Sequence, residues 1–150
     1  MQENKKIGTR INIGLKENVI TSLEEASGVQ LPRAYKEFLF LGGVMANMMA
    51  KPTLSYEVFL LEQDMWKERR DMCVESMKKH GINPKSSFWV FDDLYYEQFT
   101  LFYLGQGEDP DMYLYSPCYI GNDGKVFAGL EKIDMKFSEY INKLIDYSKE

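Results

Sequence analysis

His80 carries the chain's sole imidazole, and Cys73 and Cys118 its two thiols. A nucleophilic triad needs a base beside its nucleophile. His80 instead follows Lys78 and Lys79 and precedes Gly81, where a basic residue offsets the negative end of a helix dipole. Neither cysteine has sequence neighbours that would lower its pKa. A zinc site needs four closely spaced Cys or His ligands, or three plus water, and positions 73, 80 and 118 offer no such set. The acids have more potential. Asp92-Asp93 and Glu108-Asp109-x-Asp111 could gather carboxylates for a divalent cation or a glycosidase pair. Neither grouping has EF-hand spacing and both flank turns, so they read as a solvated rim or a protein-docking surface. Gly105-x-Gly107 does not cradle phosphate, because acids follow it and no Lys-Ser/Thr pair does. The residues therefore predict no catalysis, no bound metal and no cofactor.

Charge placement says more than total charge. The chain carries a net charge of −5, yet seven of its 23 acids lie between Ser86 and Gly124, where there is no Lys or Arg. The remaining 16 acids face 18 bases elsewhere. The same interval holds 11 of the 21 aromatic residues, Tyr95 and Tyr96 among them. Phosphate backbones need basic partners, so nucleic-acid binding is not expected. No apolar run reaches the ~18 residues needed to span a bilayer. Residues 1 to 15 lack the apolar core of a secretory signal. Two cysteines fit a reduced compartment, and spacing alone leaves a pairing of Cys73 with Cys118 open. Cytoplasmic residence is the simplest reading.

The elements that must position these groups are legible from periodicity. Residues 15 to 27 predict a helix with Val19, Ile20, Leu23 and Ala26 on one side, stopped by Gly28. Leu31, Tyr35, Phe38 and Leu39 form one apolar stripe of a second helix, with Pro32 at its first position and Gly42-Gly43 free to close it in the left-handed region. A loop containing Met45, Met48 and Met49 follows, then a strand over Leu54–Leu61. Asp64 to His80 is the longest helix, central in the chain, with Met65, Met72, Cys73 and Met77 as its buried stripe and Glu75–Lys79 as an i, i+4 pair. Phe88–Phe91, Phe99–Leu104 and Met112–Tyr115 read as aromatic-rich strands. Val126–Phe127 is a short strand after the Gly121–Gly124 turn, and Phe137 to Tyr147 is the last helix. A chain of this length predicts one domain, residues 15–150, behind a partly ordered tail of residues 1–14. Strands bracketed by helices predict an α+β fold with a largely antiparallel sheet.

Three motifs in order carry a resemblance. The first is a helix, Gly28, then Leu31-Pro32…Tyr35…Phe38-Leu39 and the Gly pair. The second is Gly107-Glu108-Asp109-Pro110 leading into Met112–Tyr115, and the third is Phe137-Ser138-Glu139-Tyr140-Ile141. Together these resemble the SUKH superfamily, which includes the Smi/Knr-type fungal cell-wall synthesis regulators and many bacterial immunity proteins. The chain departs from the family at Leu41, where Asn usually precedes the Gly pair. The resemblance implies a SUKH-like domain and an immunity protein that docks onto a cognate toxin, many of which act on nucleic acids. An intracellular scaffold or regulator of cell-wall glucan synthesis is the alternative. A basic toxin cleft would complement the acidic, aromatic-rich interval. Asp92, Asp93, Glu97, Glu108, Asp109 and Asp111 are the expected contacts, with Tyr95 and Tyr96 as anchors.

Overall fold

The computed structural model describes residues 6–7, 10–11, 13–43, 65–94, 98–120 and 123–147. The expected Met45–Met49 loop, the strand over Leu54–Leu61 and the cap at Asp64 lie outside them. Two short strands, β1 (Lys6–Ile7) and β2 (Arg10–Ile11), pair antiparallel. Helix α1 (Glu17–Ser27) follows and ends at Gly28, the expected stop, whose φ of 67° is left-handed.

Helix α2 (Arg33–Gly42) differs from expectation at both ends. Pro32 is its N-cap rather than its first helical residue, with extended ψ 147° and its carbonyl accepting the Lys36 N–H at 3.0 Å. Gly42 is helical and Gly43 has φ −65°, so neither the cap nor the pair uses the left-handed region. Close approach explains the glycine at 43 instead. A Cβ on it would meet the Leu39 carbonyl oxygen at 2.5 Å, and one on Gly14 would meet that of Phe40 at 1.6 Å. The chain entering α1 crosses the last turn of α2 there, where the Leu15 N–H bonds the Leu39 carbonyl at 2.8 Å.

Helix α3 (Met65–Lys79) carries the expected Glu75–Lys79 pair at 3.0 Å. Strands β3 (Phe88–Leu94), β4 (Gln98–Tyr103), β5 (Asp111–Ile120) and β6 (Val126–Lys136) form an antiparallel sheet in that order. Helix α4 (Phe137–Tyr147) leaves β6 directly. The short strand expected at Val126–Phe127 thus runs on to Lys136. Glu131, Lys132, Asp134 and Lys136 are exposed along it, the charge pattern of an edge strand, which hid its β character. Pro117 sits where the β5–β6 register slips, between Ser116 and Tyr119.

The sheet is covered on both faces. On one, Ile20 and Leu23 of α1, Tyr35, Phe38 and Leu39 of α2 and Phe137 and Ile141 of α4 pack on Trp89, Phe91, Phe102 and Met112. Tyr35 is the hub of that core, its ring within 6.3 Å of the rings of Phe38, Trp89, Phe91, Phe102 and Phe137. Its hydroxyl accepts the Trp89 indole N–H at 3.1 Å, so the buried phenol is not orphaned. On the other face, Cys73 and Met77 of α3 cover Phe88, Val90, Phe99, Leu101, Tyr103 and Tyr115. Four helices among the described residues and an antiparallel sheet make the domain α+β, as expected.

Candidate functional site

The acids that the sequence places in one interval separate in space along β4. Asp92 and Asp93 pair with Thr100 and Phe99 near the start of that strand. Glu108, Asp109 and Asp111 follow its end, beyond the Gly105–Gly107 turn. Gly105 and Gly107 have φ of 78° and 92°, values that a side chain would strain.

The β4–β5 turn works as a clasp. The Glu108 carbonyl accepts the Ala34 N–H in the first turn of α2 at 2.9 Å. Asp109 accepts the Ser138 N–H at 3.0 Å and the Ser138 hydroxyl at 2.6 Å, capping the first turn of α4. The carbonyl of buried Pro110 accepts the Phe137 N–H at 2.9 Å. Glu139 reaches back to the Lys136 N–H at 2.8 Å, which completes the cap. Asp111 lies between Lys132 at 2.9 Å and Lys136 at 2.8 Å, and bonding to Lys136 and then Lys132 holds its pKa below the ordinary value. All three motifs of the resemblance therefore meet here, joined by Glu108 to Ala34 and by Asp109 to Ser138. Glu108 is left with an exposed carboxylate.

Asp92 and Asp93 are not rim residues. A register shift between Val90 and Asp92 marks an irregularity in the β3–β4 ladder. Asp93, next to Phe99 of the α3-side core, forms an ion pair with Arg69 of α3 that leaves both side chains largely covered. Asp92 is 7% exposed. Burial pushes its carboxyl up to about 7, against the opposing pull of Arg69, and the nearby charge of Asp93 raises it further. Tyr140 of α4 is shifted upward in turn, first by its own burial and then by Asp92. Tyr95, Tyr96 and Glu97 lie outside the described residues.

The imidazole and thiols have structural surroundings. The Nδ1–H of His80 donates to the Ser76 carbonyl at 2.9 Å, and the same nitrogen lies 3.2 Å from the Tyr115 hydroxyl. The Ser76 hydroxyl pairs with Tyr115 at 2.8 Å, not with the ring nitrogen, so no Ser–His dyad forms. These bonds tie the end of α3 to β5, a role beyond the dipole compensation that the sequence indicates. Both cysteines are free. Cys73 is buried, with its thiol pushed up to about 12 by that burial, and Cys118 is exposed on β5. Among the described residues no group of three or more His, Cys, Asp or Glu side chains could hold a metal ion. No helix among them is long and apolar enough to cross a membrane.

One feature escaped the sequence reading. Both tryptophans meet at the start of β3, Trp66 of α3 stacking on Trp89 with ring centroids 5.5 Å apart and planes 10° from parallel. Arg70, one helical turn on, lies over the Trp66 ring at 5.5 Å. The i, i+4 spacing of Trp66 and Arg70 was a visible signal, but the meeting with Trp89 depends on how α3 crosses the sheet.

The model of the SMI1 / KNR4 family (SUKH-1) matches residues 14–143, from the glycine that crosses α2 to the second turn of α4. No curated protein and no solved structure matches significantly.

Proposed function

The chain belongs to the SMI1 / KNR4 family (SUKH-1), and we propose that it is a non-catalytic protein-binding domain, an immunity protein that neutralises a cognate toxin by direct binding. The observation that carries the reading is the Ser86–Gly124 interval, seven acids with no base among them in sequence, of which Glu108 keeps an exposed carboxylate after Arg69, Lys125, Lys132 and Lys136 pair with Asp93, Asp123 and Asp111. The partner is then a protein with a basic cleft, as an enzyme that acts on nucleic acids has. Binding and neutralisation take place in the cytoplasm.

The expected contacts divide by surroundings. Glu108 is exposed and offers a carboxylate to a partner, and Glu97, Tyr95 and Tyr96 are the other proposed contacts. Asp92, Asp93, Asp109 and Asp111 remain in the proposed face, but they act chiefly by shaping its field and holding its elements. Their internal bonds leave them less free to re-pair. The test is calorimetric titration of the purified chain with a toxin domain identified from the genes beside its own. A saturable 1:1 complex that abolishes toxicity is expected. A heat trace equal to dilution would end the immunity reading.

A further inference from the structure

Beyond the docking reading, a cavity of about 310 Å³ opens beside the Trp66–Trp89 stack. It lies between α3, the start of β3 and the loop that precedes β3, a volume at the lower end of small-ligand sites. Its walls are mostly apolar and aromatic. The polar side chains on them are Arg70, Ser86 and Ser87, all able to donate, and no carboxylate lines it. In a chain of net charge −5 the one charged side chain on these walls is a cation, Arg70.

Arg70 lies over the Trp66 ring and against Asp71, whose Oδ1 accepts from Nε at 3.2 Å and from Nη2 at 3.0 Å. A guanidinium has five N–H donors, so three remain after these two bonds. Trp66 is half-buried, and Trp89 is 5% exposed and anchored through its indole N–H to Tyr35. A buried aromatic wall at Trp89 with a cation stacked beside it on Trp66 gives the cavity one apolar side and one polar anchor. The neighbouring Asp71 weakens the charge without removing the free donors.

We propose that this cavity is a binding site for an apolar or aromatic monocarboxylate, its body against Trp66 and its carboxylate on Arg70 and the Ser86 and Ser87 hydroxyls. A free acid and the C-terminal residue of a peptide share that chemistry. The site is separate from the acidic interval's proposed contacts, so its test does not depend on the toxin.

Both tryptophans of the chain border the cavity, which makes intrinsic fluorescence a direct report of occupancy. Full-length protein is titrated with 3-phenylpropionate, with its uncharged alcohol analogue 3-phenylpropanol, and with the tripeptide Gly-Gly-Phe bearing a free C-terminus. A saturable change is expected with at least one carboxylate, about tenfold weaker for the alcohol and in Arg70→Gln. The tighter of the two carboxylates identifies the source. Thermal melts of Arg70→Gln check that it stays folded, and Arg70→Lys keeps the charge if it does not. No saturable change with either carboxylate, or equal affinity for acid and alcohol, would overturn the proposal.

Discussion

Asp109 and Asp92 show what the surroundings of a single carboxylate decide. Asp109 stands 29 residues before the serine that it caps, a separation that no local pattern reports. Its role is therefore illegible in the sequence, although the motif around it is plain. Asp109→Ala removes two charge-assisted bonds at the start of α4 and should cost about 1–2 kcal/mol, with Asp109→Asn recovering part. Urea unfolding at neutral pH measures this, and a cost near zero would mean that the clasp is idle. Asp92 has the opposite sign. Its folded pKa is raised to about 7 from 3.8, so the native state binds the proton more tightly than the unfolded chain. Its contribution is full below about 4 and is lost as pH climbs to about 7. Asp92→Asn should therefore be more stable than the parent at pH 7, with the gap closing as pH falls toward 4. A pH-independent gap would remove Asp92 as the titrating group.

At the scale of elements, α1, α2, α4 and the cores of β3, β4 and β5 were legible because apolar periodicity decides them. The "LP..Y..FL" stripe becomes the aromatic hub around Tyr35 and Phe38. Phe38→Ala should cost about 3–5 kcal/mol, and a loss below ~1 kcal/mol would mean that the site collapses without a cavity. The glycines of this region were legible as glycines but not for their reason. Gly42-Gly43 suggested a left-handed stop, whereas close backbone excludes a side chain, that of the preceding α2 turn at Gly43 and that of the crossed helix at Gly14. Gly14→Ala should thus destabilise by about 1–3 kcal/mol through overpacking, as read from its denaturation midpoint. A neutral Gly14→Ala would show that the α1–α2 crossing can part. Only the Val126–Phe127 start of strand β6 was legible, because Glu131, Lys132, Asp134 and Lys136 interrupt the apolar pattern over the rest of it. Its pairing with β5, not its composition, makes it a strand.

At the scale of the molecule, family membership and fold were readable from three weak motifs in the right order. The docking face was only partly readable. Composition counts charges along the chain, but ion pairs depend on residues brought in from α3 and β6, Arg69, Lys132 and Lys136. Once these are in place, reversing Asp92 or Asp109 would disturb folding, so Glu108 and Glu97 are the cleaner probes of binding. The most direct measurement is stopped-flow association of the chain with a toxin domain identified from the genes beside its own, across a series of salt concentrations. The expected rate falls as salt rises, and Glu97→Lys/Glu108→Lys slows it by about tenfold while flattening that dependence and leaving the melting temperature unchanged. A rate independent of salt and of both reversals would contradict docking through the acidic interval.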